Sequence, residues 1–141
     1  MNPLKSKFPN TITTPPFSGT ARSVIDTSQW FSIATTGAQG PHLAACWTRN
    51  ILALGYSDQT ISIPVWRLQQ TERNLTKDPR MQLLFVSSKV VRAAGPGQGL
   101  TVSGTGTIHR AGPLFEEARQ TLQWIHGVLM LSIHSWNLHL P

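Results

Sequence analysis

The chain has 141 residues, 40 % of them hydrophobic, which supplies one core and excludes a disordered chain or a second large domain. Twelve Lys and Arg against six Asp and Glu give a net charge of +6, a surface that attracts anions. A single cysteine, Cys46, excludes a disulfide framework, and no apolar run approaches the roughly 20 residues of a membrane span.

Residues 1–20 carry four of the ten prolines, Pro3, Pro9, Pro15 and Pro16, and read as a flexible tail before a domain over 21–141. They lack the apolar stretch of a signal peptide, so a cytoplasmic location is expected. Ser23–Trp30 reads as a short helical lead into Phe31–Thr35, an apolar β-type run ending at Thr36-Gly37. Ala38-Gln39-Gly40 is a hairpin turn, and His42–Trp47 the returning strand. After a turn at Ser57-Asp58, Ile61, Ile63 and Val65 alternate with Thr60, Ser62 and Pro64, which predicts a half-buried strand over Thr60–Trp66.

A short helix follows over Gln69–Lys77 and stops at Asp78-Pro79. Met81–Ser87 and Leu100–Ile108 are the next strands. Gly112-Pro113 opens a second helix, with Leu114, Phe115, Ala118 and Leu122 on one face and Glu116 and Glu117 in the first turn, where the helix dipole favours them. Gly127–His134 is the last strand. It is apolar on both faces, Val128 and Met130 on one, Leu129, Leu131 and Ile133 on the other, so one face is expected to meet a second subunit. The fold class is therefore mainly β, a six-stranded antiparallel split β-barrel with two short helices.

The chemistry-bearing residues exclude more than they assign. Glu116 and Glu117 are helix neighbours that point apart, so glycosidase-like acid and base work is not expected. Five histidines (His42, His109, His126, His134, His139) show no metal-ligand spacing, and no metal is expected. Cys46 has no flanking partner and reads as a small buried side chain. No serine sits in a G-x-S-x-G elbow.

The glycine motifs speak for close packing. Gly95-Pro-Gly-Gln-Gly99 is neither a Walker nor a Rossmann loop, because a strand follows it; it reads as a turn. Thr101, Ser103, Thr105 and Thr107 form one face of that strand, which reads as solvent-facing. Gly104 and Gly106 form the other face, where bulky groups approach closely. Trp47 and Trp66 end two strands, and Trp124 stands between the second helix and the last strand. Tryptophans so placed belong to a core or stack on a flat ring. Taken together, the residues describe a basic, aromatic-rich barrel suited to a planar phosphorylated ligand.

Several strings carry a resemblance. They are Ile33-Ala-Thr-Thr-Gly37, Gly40-Pro-His-Leu43, Trp47, Ile63-Pro-Val65, Thr71-Glu-x-Asn74, Ser87-x-Lys89-Val90, Gly95-Pro-Gly-x-Gly99, Gly112-Pro-x-Phe-Glu116 and Trp124. In register over about residues 25–140, the chain resembles the flavin mononucleotide (FMN)-binding split barrels of the pyridoxamine-phosphate-oxidase-like family.

The resemblance implies a homodimer with FMN at the subunit interface, and electron or hydride transfer to a redox partner or small-molecule substrate. It places Cys46, Trp47, Thr48, Arg49 and Asn50, with Ile63, Pro64 and Val65, along the ring and ribityl chain. It places Thr71 at the phosphate and brings Trp124 from the partner subunit. The family pattern has a lysine before the matched threonine, where this chain has Gln70. It has two glycines where this chain has Trp66 and Arg67, and an Asn-Thr pair where this chain has Ala45-Cys46. Arg67 and Arg49 are the nearest cations in sequence to supply the missing phosphate charge, and Arg67 is favoured because its planar fork can grip phosphate.

The alternative reading is a non-catalytic split-barrel module that binds a different flat anionic ligand or no cofactor. A nucleic-acid-binding barrel ranks last, because the basic residues are scattered from Lys5 to Arg119 with no run of three.

Overall fold

Side chains alternate inward and outward along the strands, and that period of two builds a single sheet. The computed structural model describes residues 12–139. The strands are β1 Trp30–Gly37, β2 Gly40–Trp47, β3 Thr60–Val65, β4 Arg80–Arg92, β5 Gly95–His109 and β6 Gly127–His139. All pairings are antiparallel, in the order β2-β1-β4-β5-β6-β3, and the sheet curls into a half-barrel. Phe31, Ile33, Leu83, Phe85, Leu100, Val102, Ile61, Ile63, Leu129 and Leu131 fill its inside. Phe31 and Phe85, paired across β1 and β4, stack with centroids 4.9 Å apart.

Four helices accompany the strands instead of the two expected: α1 Gly19–Thr27, α2 Thr48–Leu54, α3 Gln69–Lys77 and α4 Pro113–Thr121. The lead-in helix begins a turn earlier than its sequence suggests, because Ser18 caps it by accepting the Ala21 N–H at 3.1 Å. Its buried stripe is Ala21, Val24 and Ile25. Helix α2 has only seven residues, too few to display a helical period; Thr48 and Ile51 are its buried positions. The bounds of α3 match the sequence reading.

The expected tail boundary also shifts. Thr13 exchanges backbone hydrogen bonds with Trp136 at 2.9 and 2.7 Å. Phe17 is buried between Tyr56 and Trp136. Thr13 and Phe17 thus tie this stretch to β6, one large apolar side chain anchoring a segment otherwise rich in proline and threonine. The remainder of the expected tail, residues 1–11, lies outside the described residues.

Two further expectations change. Gly95–Gly99 is already strand, so β4 and β5 form a long hairpin that turns at Ala93-Ala94. Gly95 and Gly97 take φ of 128° and 103° there, values that favour glycine. The second apolar face of β6 is covered within the chain: Val128 packs with Phe115, Ala118 and Ile125 beneath α4. That strand therefore needs no partner subunit to hide it. No helix among the described residues is long and apolar enough to cross a membrane.

Candidate functional site

Helix α3 begins from an unusual turn. Leu68, its N-terminal flanking residue, has φ 48° and ψ 43°, a left-handed conformation that costs a non-glycine residue about 1–2 kcal/mol. The first helical bond runs from the Glu72 N–H to the Leu68 carbonyl at 2.9 Å. No side chain caps the helix, so the N–H groups of Gln69, Gln70 and Thr71 have no intrahelical acceptor. Inside this first turn Thr71 is fully buried, and its Oγ1 has no hydrogen-bond partner. Buried hydroxyls are rarely left so. An unpartnered hydroxyl beside free backbone N–H groups matches the donor set that holds a phosphate.

The turn is fastened from outside. Arg110, just after β5, donates from Nε to Glu72 Oε2 at 2.9 Å, from Nη1 to the His126 carbonyl at 3.1 Å and from Nη2 to the Arg67 carbonyl at 2.7 Å. The His126 N–H in turn donates to the Val65 carbonyl at 2.9 Å. Trp66 lies flat on the His126 ring, centroids 3.9 Å apart and planes at 28°. Arg110 and His126 are functional neighbours that the sequence reading missed; nothing in their local pattern ties them to residues about forty and sixty positions earlier.

On its other side, α3 packs against β1. Gln70 donates from Nε2 to Asn74 Oδ1 at 2.7 Å, and Asn74 donates from Nδ2 to Thr35 Oγ1 at 3.0 Å. A polar groove of about 550 Å³ opens there, lined by the β1–β2 hairpin, His42, Gln70 and Asn74.

The expected site residues divide into groups. Val65, Arg67, Gln70 and Thr71 come together around the α3 turn. Ile63, Pro64 and Val65 are buried and pair with Leu129, Val128 and Gly127 of β6. Trp124 is exposed, two residues before the His126 that stacks on Trp66. Cys46 to Asn50 lie at the β2–α2 junction, and α2 packs on β3.

Within that junction each residue has its own setting. The thiol of Cys46 packs against the core, and burial pushes it up to about 11. Thr48 is spent on structure, its Oγ1 3.1 Å from Ser28 Oγ. Arg49 lies over the exposed Trp47 ring, 5.3 Å from its centroid, and Asn50 is half-buried. The Arg67 guanidinium is exposed and has no hydrogen bond or ion pair among the described residues. No cluster of three metal-ligating side chains occurs among the described residues.

Similarity to known proteins gives the family of the chain. A family model described as pyridoxamine 5'-phosphate oxidase matches residues 17–135. An FMN-binding protein of Nitratidesulfovibrio vulgaris (strain Miyazaki F) is 32 % identical over 117 residues, 83 % of this chain and 93 % of that protein. Among solved structures, Group A Streptococcus HupZ has a TM-score of 0.69 at 18 % identity, covering 86 % of this chain and 92 % of that one. A putative pyridoxamine 5'-phosphate oxidase from Lactobacillus delbrueckii has a TM-score of 0.65 at 11 % identity, covering 86 % and 93 %. These structures share the fold. With the family match spanning most of its length, the chain belongs to the pyridoxamine 5'-phosphate oxidase family.

Proposed function

We propose that this chain is an FMN-binding flavoprotein that works in electron or hydride transfer, with the flavin held at a homodimer interface. The observation that carries the reading is the buried, unpartnered Oγ1 of Thr71 in the uncapped first turn of α3. The relative that is 32 % identical bears the name FMN-binding protein, which supports the same ligand. In this reading the N–H groups of Gln69 to Thr71 and the Thr71 hydroxyl bind the phosphate. The unpaired guanidinium of Arg67 supplies the charge that Gln70 does not. Trp47 and Trp124 present exposed rings that flank the flat part of the ligand and limit water around it. Bound there, the flavin supplies the redox chemistry.

The outer face of the sheet supports the homodimer. Trp30 faces Trp47 across β1 and β2, and Leu84 and Val86 stand beside them on β4, all exposed. Such a patch on a small domain marks an interaction surface. A second copy fits it, because a two-fold axis lets one patch cover its own image.

The test is purification of the full chain followed by identification of any small molecule released on denaturation. A yellow protein absorbing near roughly 450 nm, the flavin's own band, that releases FMN and rebinds it more tightly than riboflavin is the expected result. A colourless protein that binds neither in titration calorimetry would overturn the proposal and favour the module with a different anion or no cofactor.

A further inference from the structure

We infer that Arg110 is a positioning residue for the phosphate end of the site: it holds the left-handed turn at Leu68 in the one conformation that aims the start of α3 at an anion. This rests on the reading of α3 as the phosphate site, and it concerns a residue that touches no ligand itself.

Leu68 is the one non-glycine residue with positive φ among the described residues. A strained conformation of this kind persists only where its surroundings over-determine it. Arg110 grips the chain on both sides of Leu68, at the Arg67 carbonyl before it and at the Glu72 carboxylate after it. Its third bond, to the His126 carbonyl, ties that grip to the first residue before β6. One planar guanidinium therefore locks β3, α3 and β6 into a fixed relation. Three donors in a rigid fork suit arginine; a lysine ammonium on a flexible stem cannot span the same acceptors in that plane.

The surroundings leave room for this side chain. A Cβ on Gly127 would lie 3.2 Å from Arg110 Nη1, 3.3 Å from Val65 Cγ2 and 3.4 Å from Arg110 Cγ. Gly127 has no positive φ, so the glycine accommodates the close approach of Arg110 and Val65 and not a backbone conformation. Arg110 is ion-paired with Glu72 at 2.9 Å, so its contribution to an anion is geometric. Arg67 is left as the cation of the site, and Arg110 fixes that residue's backbone.

Two measurements on the full chain test this. The first needs no ligand: hydrogen–deuterium exchange of the backbone amides over residues 66–72, against β4 residues 81–85 as internal control. Arg110→Met is expected to speed exchange over 66–72 by about tenfold or more while β4 is unchanged, the signature of local opening. The second is titration calorimetry with FMN and riboflavin. The variant is expected to lose about tenfold or more in FMN affinity with riboflavin changed by less than about twofold, and Arg110→Lys to recover only part of the difference.

Unchanged exchange over 66–72 would overturn the role of Arg110 in the turn. Faster exchange with equal losses for both ligands would overturn its role in positioning the phosphate. Wild-type protein that does not prefer FMN over riboflavin would instead overturn the underlying site reading, while the exchange result still judges the turn. Should Arg110→Met fail to fold, Arg110→Lys keeps the charge and the apolar stem but loses the planar fork. It is then expected to show the same two changes, and their absence would overturn the proposal.

Discussion

Gln70 is bonded to Asn74 across one turn of α3, its amide 2.7 Å from Asn74 Oδ1, and Asn74 carries the connection on to Thr35 of β1. The glutamine thus has structural work: it completes the hydrogen bonding of a buried asparagine that fixes α3 to the sheet. Gln70→Lys is expected to move two measurements in opposite directions. FMN binding should tighten relative to riboflavin by ~1–2 kcal/mol, because a cation now stands at the start of α3. Stability should fall by about 1 kcal/mol, because Asn74 Oδ1 loses its donor inside the fold. Titration calorimetry and thermal unfolding read the pair.

Arg67→Ala tests the cation itself. The side chain is exposed and unpaired among the described residues, so its removal should leave the melting temperature nearly unchanged. FMN should weaken by ~1.5–3 kcal/mol, the worth of a charge-assisted hydrogen bond, with riboflavin unaffected. Equal losses for both would assign Arg67 to packing on the ring.

Gly104 and Gly106 of β5 separate backbone crowding from side-chain crowding. A Cβ at Gly104 would fall on the Ser132 carbonyl oxygen of β6, at the point where the β5–β6 register shifts. A Cβ at Gly106 would press on the Met81 sulfur, the far end of a flexible side chain. Gly106→Ala is therefore expected to cost about 1–3 kcal/mol, and Gly104→Ala more than about 4 kcal/mol, since the carbonyl cannot move without breaking the ladder. Urea unfolding of the two variants gives the order, and reversal of that order would refute the assignment.

These glycines also show which parts of the fold can be read from sequence. Their alternation with Thr101, Ser103, Thr105 and Thr107 is a local pattern, and a period of two survives without knowledge of the neighbouring strand. The same holds for α3, bounded by Asp78-Pro79. Contacts set by tertiary approach leave no such mark. Arg110 meets Arg67, Glu72 and His126 only because β3, α3 and β6 converge. Phe17 is one apolar side chain in a polar, proline-rich stretch, and its burial depends on Tyr56 and Trp136. The apolar second face of β6 was legible, but whether α4 or another subunit covers it is a question of topology. For the site, Thr71 stood out through the family pattern, whereas the loss of its hydroxyl's partners is visible only in three dimensions.

Alkaline pH gives a prediction from Cys46. Burial raises its folded pKa from the ordinary 9.0 to about 11. The unfolded chain therefore releases this proton at lower pH than the folded one. Stability from this group is complete below pH 9 and falls as pH rises through 9 to 11. Cys46→Ala should flatten that part of the stability curve, measured by urea unfolding at a series of pH values. The thiol should also resist alkylation at neutral pH in the folded protein. Rapid labelling at pH 7.5 without unfolding would contradict both expectations.

The last prediction concerns assembly, now argued from the sheet and not from β6. Ser32 of β1 stands opposite Ala45 on one side and Leu84 on the other, and Trp30 stands opposite Trp47. Trp30, Leu84 and Val86 line a concavity of about 360 Å³ on this outer face, and the exposed Trp47 ring stands beside it. Leu84 is 38 % exposed, so an arginine there meets solvent in a single chain and costs it within about 0.5 kcal/mol. In a two-fold dimer the substitution acts twice, burying two like charges at one axis without partners. Sedimentation velocity at micromolar concentration should find a dimer for the wild type and a monomer of unchanged secondary structure for Leu84→Arg. If the flavin site is shared between subunits, FMN affinity should fall with the dimer, and raising the protein concentration should restore both together. A wild-type monomer that binds FMN at full strength would remove the shared interface and leave α3, with Thr71 and Arg67, as a site complete within one chain.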